Sequence, residues 1–549
     1  MNFFKPVKCP DRTVLVHSKS GTYVYLTQKV EYKPELQCSR PKRVAIGKLN
    51  EDGDLIPNSQ YFKLFEKEEM LLDPSDRGDF ISFGPRMVFH LISEQIGLYE
   101  VLSSVFKKEC DMILDIASFM IMSENNVMQY FEDYAYNHAL FNEKVFSDIA
   151  IGRLLQGLNI KDIDLFIKSW VKLHTNKEIY ISYDSTNMNC VAGSLELAEY
   201  GHVKDNPDLP QINVSLGYDQ TDQTPLFYEL YPGSINDNTE CEKMVERAYY
   251  YDCKNIGFIL DRGYFSVRNI KFFENFGYDY VLMTKGNTKF VQKAVEECAA
   301  VLKNGYSGYI EEYELYGMTV EQDLFGTDRK QYIHVYYNGI QAESEKLQLN
   351  NRLKKMDSAM EEKVQRKLQR REDLKSYESY YKVKFDGNGY LQTYQRKEDA
   401  IRKEISKMGY FVIVTSKKME SKEALSIYRD RDAVEKVFRM EKSYLGFDVF
   451  RVQNVEKLES KVFISFIALI IRNEIYRLLK PLYKKNRKEY TVPKVLRQIE
   501  RMRLTKLSDE KYHLRYALTS NQKKILESVS IGEKEYKEYA QKIKDQIEC

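Results

Sequence analysis

The sequence predicts a multidomain α/β protein with a mixed-sheet core. Residues 178–186 alternate apolar and polar side chains as far as Asp184, which is typical of a β-strand. Residues 255–263 form a nearly continuous apolar run that stops at Asp261, which indicates a strand covered on both faces. Open α/β sheets bind ligands at the carboxyl ends of their strands, so both aspartates are candidate site residues. An Asp that ends a strand is more commonly a turn former, and this alternative stays open for each one alone.

The composition is that of a globular protein. The 549 residues are 43% hydrophobic and 30% charged. The longest apolar run, near 463–471, is too short to span a membrane, and residues 1–10 contain no apolar signal segment. The eight cysteines form no CxxC pair and the seven histidines no cluster, so neither a disulfide framework nor a zinc site is predicted, which fits a reducing cytoplasm. The net charge is only +2, so any DNA-binding surface must be local.

A small β-rich unit followed by helices is predicted at the start of the chain. Residues 1–83 hold short apolar stretches broken by Gly, Pro and Asn, whereas 84–175 have helical periodicity. The predicted helices are 87–105, 109–121, 125–136, 148–158 and 162–173. They contain no clear helix-turn-helix, so a structural and a DNA-binding role both remain open.

From 176 to 285 the pattern changes to strands and intervening helices. The predicted elements are strand 178–184, a hairpin of 211–217 and 225–231, helix 238–251, strand 255–261, helix 267–276 and strand 278–285. We interpret Asp219, Asp222 and Asp237 as turn and cap residues rather than ligands.

Residues 286–410 are predicted to interrupt this core. The predicted elements are Tyr-rich strands at 306–316 and 331–337, a long charged helix at 343–377, a turn at 386–389 between further strands, and a helix at 397–408. The long helix has a narrow apolar stripe that includes Leu353, Met360 and Leu368, and its charged face is interpreted as solvated.

A single helix is predicted at 421–442, with Ser421 as its N-cap and without internal Gly or Pro. One stripe of this helix combines a carboxylate with cations and an aromatic hydroxyl. Its members are Tyr428, Arg431, Glu435, Arg439 and Lys442. Such a stripe can bind a metal ion at the carboxylate and a phosphate backbone along the cations. The alternative is a solvated face with i,i+4 ion pairs.

The C-terminal residues are predicted to be helical and basic. A buried helix is expected at 459–479, followed by a basic helical region at 478–549. Residues 478–515 carry 12 Lys or Arg against 4 Asp or Glu, a local charge of +8. A helix at 495–504 would present three arginines outward, as a solvated face or a DNA contact. They are Arg497, Arg501 and Arg503.

Asp184, Asp261 and Glu435 together resemble the Asp–Asp–Glu (DDE) triad of bacterial insertion-sequence transposases. One group, the IS-four type, has the signature Tyr, two residues, Arg, three residues, Glu, six residues, Lys. Tyr428, Arg431, Glu435 and Lys442 match it at every spacing. The resemblance covers roughly residues 178–475. Further similar segments are YDST at 183–186, DRGYFS at 261–266, YVLMTKGN at 280–287 and FVIVTSK at 411–417.

The resemblance implies a ribonuclease-H-like catalytic core, formed by 176–285 and 411–477 and interrupted by a β-rich insertion domain at 286–410. It implies that 84–175 bind the element ends. It also implies cut-and-paste DNA transposition by a homodimer that binds terminal inverted repeats and target DNA, in the bacterial cytoplasm at the nucleoid. Within the signature, Tyr428, Arg431 and Lys442 would hold DNA phosphates near the cut, and Arg439 is a further candidate DNA contact.

Three carboxylates are the ligands that Mg²⁺ or Mn²⁺ prefers, and Asp184, Asp261 and Glu435 are the predicted catalytic and metal-binding residues. Two ions about 4 Å apart can activate water or a 3′-hydroxyl and stabilise the leaving oxygen of a phosphodiester. A ribonuclease-H-like nuclease or resolvase is one alternative, and the signature argues against it. A transposase-derived DNA-binding protein without catalysis is another, and the intact triad argues against that.

Overall fold

A computed structural model describes most of the chain. The described residues are 6–18, 21–33, 38–50, 52–65, 78–142, 145–175, 178–191, 195–201, 209–235, 237–286, 288–305, 307–322, 329–366, 377–446, 449–450, 452, 454–507, 511–514 and 516–548. Within them, no helix combines the length and the apolar character that a membrane crossing requires.

A small antiparallel sheet and one short helix occupy the described N-terminal residues. The elements are β1 (Thr13–Ser18), β2 (Gly21–Lys33), β3 (Cys38–Leu49), β4 (Leu55–Pro57) and α1 (Ser59–Phe65). The four strands pair in chain order. Val24, Ile46, Leu55 and Tyr61 form a buried cluster of their own, separate from the main core.

A layer of helices follows. The elements are β5 (Phe80–Ser82), α2 (Gly84–Gln95), α3 (Leu98–Phe106), α4 (Cys110–Ser123), α5 (Phe131–Asn137), α6 (Asp148–Gly157) and α7 (Ile160–His174). The prediction of one helix over 87–105 is wrong. Gly97 has a φ of 73°, a left-handed conformation that separates α2 from α3 at a residue without a Cβ.

The core begins with three antiparallel strands and continues with alternating helices and strands. The elements are β6 (Ile179–Cys190), β7 (Gln211–Asp219), β8 (Thr224–Pro232), α8 (Asp237–Tyr250), β9 (Ile256–Leu260), α9 (Val267–Asn275) and β10 (Asp279–Met283). The hairpin and the alternation after it are as predicted, with small shifts at the element ends. Asp219 Oδ1 accepts a hydrogen bond from the Thr221 backbone N–H at 2.8 Å, which is the turn role expected for it.

The next elements lead from this core and return to it. They are α10 (Lys289–Asn304), β11 (Tyr309–Ile310), β12 (Leu315–Gln322), β13 (Gln331–Tyr337), α11 (Gly339–Arg366), β14 (Tyr381–Phe385), β15 (Leu391–Arg396), α12 (Glu398–Lys407) and β16 (Tyr410–Thr415). The part of the predicted helix 343–377 from 367 to 376, including Leu368, lies outside the described residues.

The C-terminal elements pack back onto the helical layer and the sheet. They are α13 (Ser421–Arg429), α14 (Asp432–Tyr444), β17 (Val449–Phe450), α15 (Val455–Lys485), α16 (Val492–Glu500), β18 (Arg503–Lys506), β19 (Tyr512–His513), α17 (Ser520–Ser528) and α18 (Glu533–Glu548). The prediction of a helix over 495–504 is wrong in its second half. Here α16 ends at Glu500 and β18 pairs with β5, which places Leu504 opposite Ile81 in the core.

One large mixed sheet organises the molecule. Among the described residues it has ten strands, in the order β11-β12-β13-β16-β10-β9-β6-β7-β8 with β17 beside β6. Strand β9 runs parallel to both β6 and β10, whereas β7 and β16 pair antiparallel with β6 and β10. The predicted mixed α/β class is therefore confirmed. Helices cover both faces, since residues of β9, β10 and β13 contribute to two buried clusters.

The segment 286–410 differs from the expected self-contained insertion. Strands β11 to β13 extend the large sheet, with β13 paired to β16 from Tyr332 to Tyr337. The reason is burial: Ile333 and Val335 point into the main core and Tyr336 into the cluster on the opposite face. Helices α11 and α12 and strands β14 and β15 share a separate small cluster, which includes Leu353, Met360 and Tyr381 and against which Tyr337 of β13 also packs.

Candidate active site

Asp184 and Asp261 are brought together by the register of two parallel strands. In the pairing of β6 with β9, Ser182 lies opposite Ile259. Continuing this register by two residues aligns Asp184 of β6 with Asp261, the residue that directly follows β9. Neighbouring strands are about 4.8 Å apart, so the two carboxylates emerge side by side.

The prediction that the first strand ends at Asp184 is wrong. Strand β6 continues to Cys190 because β7 pairs with it throughout, and Asp184 lies opposite Leu216. On the other edge of β6, the pairing with β9 ends at Ser182, and β17 pairs only with Asn189 and Cys190. Asp261, by contrast, follows β9 directly, and its Oδ1 accepts a hydrogen bond from the Arg262 N–H at 2.7 Å at the start of a short 3₁₀ helix.

The predicted helix 421–442 is two helices. The helix is interrupted at Asp430 and Arg431, where the Arg431 N–H donates to the Tyr428 carbonyl at 3.1 Å in a tight turn. The two helices bury their apolar faces in different clusters. Leu425 of α13 packs in the cluster that contains Tyr336, on the sheet face opposite the main core, whereas Val434 of α14 packs in the main core. Ser421 is also not the N-cap, since that position is held by Glu420 without a side-chain hydrogen bond.

Arg431 lies among all three predicted ligands. Its NH1 is 3.4 Å from Asp184 Oδ2 and 4.0 Å from Asp261 Oδ2, and its NH2 is 2.9 Å from Glu435 Oε1. Three separate parts of the chain thus supply the carboxylates that surround one guanidinium. The nearby Tyr428, Asp261, Asp184 and Glu435 raise the pKa of Arg431, although burial acts in the opposite direction, so this side chain is a permanent cation.

Tyr428 fixes one of these carboxylates. Its hydroxyl donates to Asp261 Oδ1 at 3.2 Å. Burial, and then the negative charge of Asp261, raises the pKa of Tyr428 well above its usual value, which keeps the hydroxyl protonated as a donor. With Oδ1 held by two donors, Asp261 presents Oδ2 to the centre of the site.

The donor set suits a hard divalent cation. Three carboxylates and one guanidinium leave an excess of two negative charges, and carboxylate oxygens are the ligands of Mg²⁺ and Mn²⁺. Among the residues that the structure describes, no group of three or more His, Cys, Asp or Glu side chains is assembled closely enough to hold a metal ion. In this arrangement the Arg431 guanidinium lies within 4.0 Å of an oxygen of each carboxylate.

The other predicted DNA contacts are dispersed. Lys442 lies in the last turn of α14 and is half-buried, while the side chain of Arg439 lies outside the described residues. Arg497 and Arg501 are exposed at the end of α16. Arg503 is half-buried in β18, with its guanidinium 4.2 Å from the centre of the Phe80 ring. The described contacts of Arg503 connect it to β5 rather than to the triad.

A large cavity adjoins Tyr428, and the sequence did not reveal it. Its volume is about 1080 Å³, and its walls come from α10, α12, α13 and the strands between them. The hydroxyl of Tyr410, in one wall, is buried without a hydrogen-bond partner among the described residues. Five cations line the cavity, spread over more than 160 positions of sequence, so no local pattern marks them. They are Arg262, Lys285, Lys403, Lys407 and Arg429.

Comparison with known proteins identifies the class. Residues 177–471, more than half of the 549, match the family described as transposase DDE domain. The chain therefore belongs to the DDE transposase family, as the resemblance implied. The matched segment contains Asp184, Asp261 and Glu435.

Other comparisons add little to this assignment. Among solved structures, the chain is similar to the cryo-EM structure of a piggyBac transposase synaptic complex with hairpin DNA. The identity is 12%, the alignment covers 84% of this chain and 85% of that one, and the TM-score is 0.37, too low to support an inference. No curated protein matches the chain.

Proposed function

We propose that the protein is the transposase of a bacterial insertion sequence of the IS-four type, which cuts DNA at the element ends and joins the 3′-hydroxyl ends to target DNA. The observation that carries this proposal is that Asp184, Asp261 and Glu435, from three separate parts of the chain, each place a carboxylate oxygen within 4.0 Å of the Arg431 guanidinium. Membership of the DDE transposase family supports the same reaction class.

We assign metal binding to these three carboxylates. A bound pair of Mg²⁺ or Mn²⁺ ions would activate the attacking water or 3′-hydroxyl and neutralise charge on the phosphodiester. The protein's own contribution is orientation. The Ser185 N–H holds Asp184 Oδ1 at 2.9 Å, and Tyr428 and the Arg262 N–H hold Asp261 Oδ1. The Oδ2 atom of each aspartate faces the Arg431 guanidinium.

DNA contacts follow from charge around this centre. We assign phosphate binding to Arg431 and Lys442, as the signature implies, and to Arg439 from its place on the same helix stripe. The cationic walls of the adjoining cavity lie next to Tyr428, where a strand leaving the site would pass. A DNA strand carries one phosphate per nucleotide, so a row of cations beside the site favours its path there.

The domain division is also a proposal. We assign the catalytic core to 176–285 and 411–477, the element-end contacts to 84–175, and further DNA or partner contacts to the basic region 478–549. We restrict the insertion to 339–408, because β11 to β13 share the core sheet. A homodimer would bring two ends together.

The experiment is cleavage and joining of DNA that carries the ends of its own element, with Mn²⁺ and full-length protein. Asp184→Asn and Asp261→Asn should each lower both activities at least about a thousandfold, equivalent to about 4 kcal/mol of transition-state stabilisation. End binding should stay within a few-fold. Asp279→Asn is the matched control, because this carboxylate lies at the opposite, amino-terminal end of the adjacent strand β10. Wild-type joining by either site variant would refute the proposal.

A further inference from the structure

The position of Arg431 bears on how a metal ion would enter the site. Its guanidinium faces one oxygen of each carboxylate: Asp184 Oδ2 at 3.4 Å, Asp261 Oδ2 at 4.0 Å and Glu435 Oε1 at 2.9 Å. The other oxygen of each aspartate is already held by hydrogen-bond donors. The guanidinium therefore contacts the oxygens that a metal ion would need.

The Arg431 guanidinium and the three carboxylates depend on each other's charge. The Arg431 side chain is only 11% exposed, and a buried cation is costly unless carboxylates pair with it. Three carboxylates in one place likewise repel one another unless a cation lies between them. A divalent ion and the guanidinium would serve the same purpose at the same place, so they exclude each other.

Two further observations indicate that the Arg431 side chain can move away from the three carboxylates. Its Nε–H is buried without a hydrogen-bond partner among the described residues, so this position does not satisfy the whole side chain. Arg431 also lies in the turn between α13 and α14 rather than inside a helix. Backbone dihedral changes there need not break helical hydrogen bonds.

We propose that Arg431 is an internal counter-ion of the carboxylate triad, which competes with divalent metal and must be displaced before metal binds tightly. This inference rests on the metal assignment made under the proposed function. It gives Arg431 a role in metal loading as well as the phosphate contact that the signature implies. It predicts that the DNA-free protein binds divalent metal weakly.

The test is Mn²⁺ binding by the full-length protein without DNA, measured from the electron paramagnetic resonance signal of free Mn²⁺. Arg431→Ala and Arg431→Gln remove the competing charge. Each should tighten Mn²⁺ binding at least about tenfold, which corresponds to about 1.4 kcal/mol. The matched control is Arg429→Ala. Arg429 is an exposed cation two residues away, with its guanidinium 4.4 Å from the centre of the Tyr313 ring, and its removal should change the affinity less than threefold.

Thermal unfolding with and without Mn²⁺ supplies a second measurement if a variant is unstable. Without Mn²⁺, Arg431→Ala should unfold at a lower temperature than the wild type, because the carboxylates have lost their counter-ion. Added Mn²⁺ should raise its unfolding temperature more than that of the wild type. Equal or weaker Mn²⁺ binding by both variants, or no larger stabilisation by Mn²⁺, would overturn the inference.

The variant Asp261→Asn distinguishes a wrong counter-ion role for Arg431 from a wrong metal assignment in the proposed function. If Asp261→Asn abolishes Mn²⁺ binding while wild type and Arg431→Ala bind equally well, the triad is the metal site and only the counter-ion role is wrong. If Asp261→Asn leaves Mn²⁺ binding unchanged, the metal assignment itself is wrong and the inference falls with it.

Discussion

The Tyr428 hydroxyl donates a hydrogen bond to Asp261 Oδ1 at 3.2 Å, which joins the first helix of the transposase signature to the carboxylate at the end of β9. Because Tyr428 is buried, this bond fixes the carboxylate as well as contacting it. The tyrosine of the signature is thus a positioning residue for the second aspartate in this structure.

Tyr428→Phe tests that role. The change removes one hydrogen bond of about 1.5 kcal/mol to a charged group that must be oriented, so strand cleavage should fall roughly tenfold with little change in DNA affinity. Because folding raises the pKa of Tyr428, the neutral hydroxyl supports stability below about pH 10 and loses this effect as the pH rises further. The difference in unfolding free energy between wild type and Tyr428→Phe should therefore be smaller above pH 10 than at neutral pH. An unchanged cleavage rate would show that Asp261 needs no such support.

Glu435→Gln and Lys442→Ala separate two roles within α14. The residues are seven positions apart, about 10 Å along a helix, too far for both to contact one metal ion. Glu435→Gln should abolish every chemical step. Lys442→Ala should slow cleavage about ten- to a hundredfold without altering the Mn²⁺ dependence, because it removes one charge-assisted contact of roughly 1–3 kcal/mol. If α14 is only a solvated face, both variants would retain activity and lose about 0.5 kcal/mol of stability or less.

The boundary of the insertion has a direct test. Tyr337 of β13 lies opposite Tyr410 of β16, and the Asn338 N–H donates to the Gly409 carbonyl at 2.8 Å. Excision of 339–408 joins Asn338 to Gly409, and Asn-Gly is a favoured two-residue hairpin turn. The shortened protein should be folded and soluble, with one cooperative unfolding transition, but deficient in coupled excision.

Excision of the whole segment 286–410 is the contrasting variant. It removes α10 and β11 to β13, whose side chains fill the core on both faces of the sheet, so this protein should be insoluble. If the longer deletion folded as well as the shorter one, the originally expected self-contained insertion would be the better description.

Salt dependence tests the basic C-terminal residues. Arg497 and Arg501 are exposed, so Arg497→Gln and Arg501→Gln should leave stability nearly unchanged. Each lost phosphate contact should lower the slope of log affinity against log salt by about 0.9. The half-buried Arg503, packed on Phe80, provides the comparison, since Arg503→Gln should lower stability. An unchanged slope in the double variant Arg497→Gln/Arg501→Gln would assign these arginines to a solvated face.

Much of the core was predictable because its signals are local. The apolar run before Asp261 and the alternation around Asp184 reflect which strand faces are buried, and both follow from side-chain period. The register that places these aspartates side by side is a tertiary property. So is the break at Asp430, which no Gly or Pro marks and which arises because α13 and α14 pack into different clusters.

Pairing between distant parts of the chain accounts for the remaining differences between the predicted and the observed elements. Strand β18 pairs with β5 more than 400 residues earlier in the chain, so helical periodicity continued across Arg503 in the sequence although the backbone there is extended. Strand β13 was predicted, but its partner β16 follows an excursion of about 70 residues that hides the pairing. The predicted strand 306–316 overlaps β12 only at Leu315 and Tyr316. The position of Arg431 combines two such distant contacts, with Asp184 and Asp261, and one local i,i+4 contact with Glu435.

The most direct test of the proposed site is anomalous scattering from crystals of the full-length protein grown with Mn²⁺ and DNA ends. The expected result is a Mn²⁺ peak in direct contact with Asp184 Oδ2, Asp261 Oδ2 and a Glu435 carboxylate oxygen, with the Arg431 guanidinium moved away from all three. A Mn²⁺ peak elsewhere, with Arg431 still between the carboxylates while the same protein and DNA are cleavage-competent, would contradict it.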